Sequence, residues 1–140
     1  MKQKIIIDTG PIVAFINARD KYHEWAKDQF SRITPPLLTC DAVLSEACFL
    51  LGSIYGGPET VLELMKRGVL TSTFRIEDSL DQIKWLLKKY SSVPISLANA
   101  CLVRMSEIYS GSTVFTLDSD FSIYRKNKRN VIPLITHLIL

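Results

Sequence analysis

The stretch Ile5-Ile6-Ile7-Asp8-Thr9-Gly10-Pro11 joins three β-branched apolar residues to an acid and a turn. A short apolar run without polar alternation reads as a strand buried on both faces, as in a parallel sheet. Gly10-Pro11 then predicts a short helix, because proline suits a first helical turn. The pattern returns near the other end, in Val114-Phe115-Thr116-Leu117-Asp118-Ser119-Asp120. In an open α/β sheet, functional groups gather in the crevice beyond the carboxyl ends of the strands. Two strands ending in acids therefore point carboxylates into one pocket. Such acids repel unless a cation or a proton lies between them.

Between these runs, strands alternate with helices. Asp20 is expected to cap a helix over 21–32, and a second strand follows at 37–40. Asp41 is expected to cap a helix over 42–55, ended by Gly56-Gly57-Pro58. A helix over 59–67, a strand over 69–74, and helices over 77–90 and 96–109 come next. Strand four is placed at 113–117, a helical turn at 121–124 and a last strand at 131–135. The alternation indicates an α/β fold with a parallel sheet.

The 140 residues suit one domain, 1–140, and their 47% hydrophobic and 22% charged content fits a globular protein. No apolar run is long enough to span a membrane, and the first apolar run is too short for a signal peptide, so a cytoplasmic location is expected. Cys40, Cys48 and Cys101 lack zinc-ligand spacing and read as buried free thiols. The net charge of +3 permits a nucleic-acid partner without requiring one.

Two polar residues break the helical pattern. Glu46 falls on the apolar stripe of Val43, Ala47 and Leu50, so it faces the core or a pocket wall. Asn99 borders the buried face of the helix carrying Ala98, Leu102 and Met105. Each has an ordinary explanation: a stripe-edge carboxylate reaching water, or a buried amide satisfied by backbone. Asp8, Asp118 and Asp120 could likewise be helix caps. Four separate elements with such residues share one economical explanation, a bound cation. Two carboxylates about 4 Å apart repel by roughly 4 kcal/mol at an effective dielectric near 20, and a divalent ion reverses that sign. Oxygen donors without His or Cys favour Mg²⁺ or Mn²⁺. Such an ion suits phosphodiester hydrolysis.

These residues resemble the PIN-domain family of ribonucleases, especially the VapC-like toxins of toxin–antitoxin pairs. The likeness rests on Ile7-Asp8-Thr9-Gly10-Pro11, Asp20-Lys21-Tyr22-His23-Glu24, Leu44-Ser45-Glu46-Ala47, Leu97-Ala98-Asn99-Ala100-Cys101-Leu102-Val103 and Thr116-Leu117-Asp118-Ser119-Asp120-Phe121. It implies a three-layer α/β/α fold around a central parallel sheet of four to five strands. It implies a metal-dependent endoribonuclease using Mg²⁺ or Mn²⁺. Asp8, Glu46 and Asp118 match the family's acidic metal positions, and Asp120 matches a less regular acid. Thr9 and Thr116 match small hydroxyl residues beside the site. An RNA substrate, an antitoxin protein and a homodimer are the partners implied, with no membrane role. Asn99 departs from the pattern, which places Asp there. The amide offers one neutral oxygen, so the alternative is a weakened or inactive module that binds RNA or a protein partner.

Arg125, Lys126, Lys128 and Arg129 follow the last acids and could track an RNA backbone, or form a solvated turn. Lys21 and Arg104 are weaker candidates. His23 reads as a surface or capping residue and His137 as structural. No hydroxyl near the acids has a placed histidine, which argues against a Ser-His-Asp mechanism. A Walker loop and a dinucleotide glycine fingerprint are absent.

Overall fold

The opening apolar run forms strand β1, Ile5–Ile7, with all three residues buried, in a computed structural model that describes residues 3–137. After it come helix α1 (Thr9–Ile16), α2 (His23–Arg32), β2 (Leu37–Cys40), α3 (Asp41–Leu50), α4 (Gly57–Lys66) and β3 (Leu70–Phe74). The second half holds α5 (Leu80–Lys89), α6 (Leu97–Ile108), β4 (Thr113–Phe115), β5 (Arg125–Lys126), β6 (Asn130–Val131) and β7 (Leu134–Ile135). Short 3-10 turns cover Ile76–Ser79 and Ser119–Ser122.

Five strands build one parallel sheet in the order β3-β2-β1-β4-β7. The chain moves outward from β1 through β2 and β3, then returns to lay β4 on the other side of β1. The order therefore reverses between β1 and β4, where open α/β sheets leave a crevice. Helix α1 packs against α2, α3 and α4, whereas α5 packs against α6, which crosses β1, β2 and β4. Helices thus flank the sheet in three layers. Ile6, Ile7, Ile12, Leu102, Val114 and Phe115 are fully buried between them. Each such side chain contributes about 1.5–3 kcal/mol relative to exposure.

The structure moves several boundaries. Asp20 does not cap α2; its carboxylate accepts the Tyr22 N–H at 2.8 Å in the turn before the helix. Asp41 is the first residue of α3 rather than its cap, and it accepts the Ser72 hydroxyl at 2.6 Å. That helix stops at Leu50, short of the expected 55. The expected last strand divides in two. Asn130–Val131 pairs antiparallel with Arg125–Lys126, whereas Leu134–Ile135 joins the main sheet beside β4. Pro133 stands between the halves. It has no N–H to donate to a ladder, but its carbonyl accepts the Val114 N–H at 2.9 Å. Among the described residues, no helix is long and apolar enough to cross a membrane.

Candidate active site

Register places the site. Ile7 lies opposite Phe115, so the residues just beyond, Asp8 and Thr116, emerge side by side. The Asp8 N–H continues the ladder by donating to the Phe115 carbonyl at 2.9 Å. Its carboxylate caps α1, accepting the Thr9 N–H at 2.7 Å. The other carboxylate oxygen accepts the Thr116 hydroxyl at 2.7 Å. That hydroxyl in turn accepts the Asp118 N–H at 2.9 Å. One threonine oxygen therefore ties the two strand ends together. Asp118 caps the following 3-10 turn by accepting the Asp120 N–H at 2.9 Å. Both aspartates are caps, as one sequence reading allowed, and both also face a common cavity.

Helix α3 adds Glu46. Its side chain is exposed to solvent rather than buried in the core, so the wall, not the interior, is its place. The Thr9 hydroxyl donates to it at 3.2 Å. Helix α6 adds Asn99, only 9% exposed. Ser96 caps that helix, its hydroxyl accepting the Asn99 N–H at 3.0 Å. The Asn99 side-chain amide donates to Asp118 Oδ2 at 3.2 Å and reaches the Tyr124 hydroxyl at 3.5 Å. Tyr124 is fully buried and donates its own O–H to the Pro94 carbonyl at 2.7 Å. Burial pushes its phenol up from the ordinary value, so the proton stays. The phenol oxygen is thereby left to accept from Asn99, which turns the amide nitrogen towards Asp118.

These groups share a cavity of about 800 Å³, lined by Asp8, Thr9, Glu46, Asn99, Asp118 and Asp120, among others. Gly10 also lines it, and a Cβ at that position would meet Leu117 Cβ at 3.2 Å. The missing side chain lets the first turn of α1 and the loop after β4 approach closely. Asp8 is pushed up to about 6, first by burial and then by Asp118 and Glu46, against the hydrogen bonds from Thr116 and Thr9. Asp8 thus feels Asp118 and Glu46 across the cavity.

Whether the residues suit a divalent ion rests on charge and donor chemistry. Among the described residues, no lysine, arginine or histidine lines the cavity, so its carboxylates meet no cationic side chain there. All donors are oxygens, the preference of Mg²⁺ and Mn²⁺. Among the described residues, no three acidic, His or Cys side chains close into a ready-made metal cage. An open acidic wall still fits Mg²⁺, which keeps several waters and takes only one or two carboxylates directly.

The basic residues lie elsewhere. The Arg125 guanidinium turns back to donate to the carbonyls of Ser122, Ile123 and Tyr124 at 2.7, 3.1 and 3.1 Å. Lys126 lies on β5, and neither residue lines the acidic cavity. Arg104 pairs with Glu107 at 3.3 Å. His23 Nδ1 meets the Ala14 carbonyl at 2.7 Å, and His137 packs against Tyr22 and Trp25. Sequence reasoning gave Ser96, Gly10 and Tyr124 no place at the site. Ser96 carried a detectable signal, a serine directly before an apolar helix. Tyr124 carried none.

Comparison with known proteins agrees with this architecture. The sequence matches the model of the PIN domain over residues 5–127. Among solved structures, the chain is similar to the crystal structure of VapC20 from Mycobacterium tuberculosis, described as a sarcin–ricin loop cleaving toxin. The TM-score is 0.77 at 22% identity, covering 93% of this chain and 100% of that one. A search of curated proteins gives no match. The chain belongs to the PIN domain family.

Proposed function

We propose that this PIN-family chain is a metal-dependent endoribonuclease that hydrolyses RNA phosphodiester bonds, acting as the toxin of a type II toxin–antitoxin pair. One observation carries the reading. Asp8, Glu46, Asp118 and Asp120 line a single cavity that has no lysine, arginine or histidine among its described lining residues. Asp8, Glu46 and Asp118 would hold Mg²⁺ or Mn²⁺, with Asp120 in support, and the ion would supply Lewis acidity and offset phosphate charge. The chain's own groups set the stage. Thr116 aims Asp8 and fixes the backbone of Asp118 through one hydroxyl. Thr9 steadies Glu46. Asp8, with its raised affinity for a proton, can hold one when no cation is near.

Asn99 supports a second reading, a weakened or non-cleaving module. Its amide nitrogen, not its oxygen, meets Asp118, so it acts as a neutral strut where a fifth anion would repel. For partners, we infer an antitoxin and a second copy of the chain. Phe49, Tyr55 and Leu62 stand exposed around α3 and α4 and offer apolar surface for such contacts. Lys126, on the hairpin that follows the acidic loop, is assigned to the substrate side through its positive charge, whereas the Arg125 guanidinium is held by the carbonyls of its own turn.

The test is cleavage of an RNA panel, including a sarcin–ricin loop oligonucleotide, with Mg²⁺, Mn²⁺ or chelator. Cleavage only with the ion, lost in Asp8→Asn, is expected. Intact RNA at high Mn²⁺ with both the native chain and Asn99→Asp defeats the enzyme reading. Retained RNA binding would then favour the module.

A further inference from the structure

A second concave surface lies apart from the acids, between α5 and the β5–β6 hairpin. It is a groove of about 480 Å³ whose lining includes Trp85, Gln82, Arg104, Asn127 and Lys128. Trp85 is 37% exposed, although it lies on an amphipathic helix whose buried residues are Ile83 and Leu86. Two ammonium groups sit over its ring, Lys128 at 5.1 Å and Lys89 at 5.9 Å from the centroid. The lining itself balances Arg104 and Lys128 against Asp81 and Glu107, and the excess of positive charge comes from the two segments beside it. α5 carries Lys84, Lys88 and Lys89, and the hairpin carries Arg125, Lys126, Lys128 and Arg129, against Asp81 as the acid in those two segments. Glu107, also in the lining, is occupied by Arg104 at 3.3 Å and by the Asn127 N–H at 2.7 Å.

The hairpin is built at some conformational cost. Asn127 and Lys128 both have positive φ, 50° and 69°. Glycine would adopt that backbone freely, and a lysine there is unusual. The lysine's presence places a cation over the Trp85 ring. The hairpin also begins five residues after Asp120. Lys128 lies eight positions beyond Asp120, so their Cα atoms lie at most about 29 Å apart. A single nucleic-acid strand of modest length can reach both places.

We propose that the Trp85 groove is a binding site for single-stranded RNA, with one base stacked on the indole and flanking phosphates paired with Lys89 and Lys128. A flat aromatic face between cations is the combination that holds unpaired strands, because every base has a π-face and every linkage a charge. The stacked base takes one ammonium's place on the ring and frees it for phosphate. The site rests on the ribonuclease reading in taking RNA as its ligand. It adds a second point of attachment, remote from the reacting phosphate, that favours substrates with an unpaired loop.

The probe is a fluorescein-labelled unstructured oligoribonucleotide of about a dozen residues, titrated with the full chain in chelator so that no cleavage intervenes. Trp85→Ala should weaken binding roughly tenfold, and Trp85→Phe should recover part of the loss. Lys128→Ala should lower the slope of log K against log salt by about 0.7. In a Trp25→Phe background, RNA should quench the remaining indole fluorescence. Undiminished binding by Trp85→Ala, or binding without quenching, overturns the proposal. So does an acidic peptide that occupies Trp85 where RNA does not. Cleavage with Mn²⁺ is read separately. If no RNA is cut while quenching persists, the nuclease reading fails and the groove stands. If cleavage holds while Trp85→Ala binds normally, the groove alone is wrong.

Discussion

The cavity has two kinds of wall. Asp8, Thr116 and Asp118 stand on adjacent strand ends, locked by hydrogen bonds of 2.7 to 2.9 Å. Glu46 and Asn99 stand on helices, and their contacts across the cavity are longer, 3.2 Å each. Strand-end groups inherit their positions from the ladder, whose spacing scarcely varies. Helix-borne groups depend on how two helices pack and on flexible side chains. The strand wall is therefore the preorganised half, and the helix wall the adjustable one.

Substitution on the strand wall should have the largest effect. Asp8→Asn should cut RNA cleavage by at least the roughly 100-fold seen when metal-site support is lost. It should also raise stability at neutral pH. Asp8 titrates near 6 in the folded chain against an ordinary 3.8, so the folded state holds its proton more tightly than the unfolded chain. Stability is then full below the unfolded value and declines as pH rises through the folded one. At pH 7 the ionised group costs about 3 kcal/mol. Melting curves should show Asp8→Asn above the native chain at pH 7.5, with the gap vanishing towards pH 4. A constant gap would separate it from titration. Cation affinity should fall as pH drops through about 6, measured by calorimetry.

Thr116→Val comes next, because it removes the oxygen shared by Asp8 and the Asp118 N–H. A loss of roughly 1–3 kcal/mol is expected for buried groups left unpaired, visible in urea unfolding. Asn99→Asp should tighten Mn²⁺ binding by about 10-fold or more while lowering the melting temperature of the metal-free chain. Saturating Mn²⁺ should restore it. If Mn²⁺ affinity does not change, Asn99 is a strut alone. Glu46→Gln should be mildest for the fold, within about 0.5 kcal/mol because the group is exposed, yet it should weaken Mn²⁺ binding measurably. An effect on stability as large as that of Thr116→Val would erase the distinction between the walls.

Much of the fold was legible. Ile5-Ile6-Ile7 and Val114-Phe115 are buried strands because unbroken β-branched and aromatic runs have no polar face to expose. Boundaries were less so. Asp41 has the chemistry of a cap, yet it bonds to Ser72 on a strand distant in sequence. Hydropathy ranks Trp85 and Leu86 alike on the 77–90 helix, and periodicity cannot see that Leu86 occupies the core while Trp85 is left exposed. For the candidate site, the acids announced themselves as charges in apolar settings. Tyr124 did not, since a tyrosine in a loop is unremarkable until its hydroxyl is found between Pro94 and Asn99.

By itself, the sequence determined the alternation of strands and helices and the presence of acids at strand ends, because hydrophobic period and turn chemistry act over a few neighbouring residues. Only the tertiary structure decided that Thr116 bridges Asp8 and Asp118, that Glu46 stands exposed on the wall, and that Arg125 is spent on its own turn. Those outcomes depend on strand order and helix packing, which bring together groups more than a hundred residues apart and fix their spacing to tenths of an ångström, a scale that no local pattern encodes.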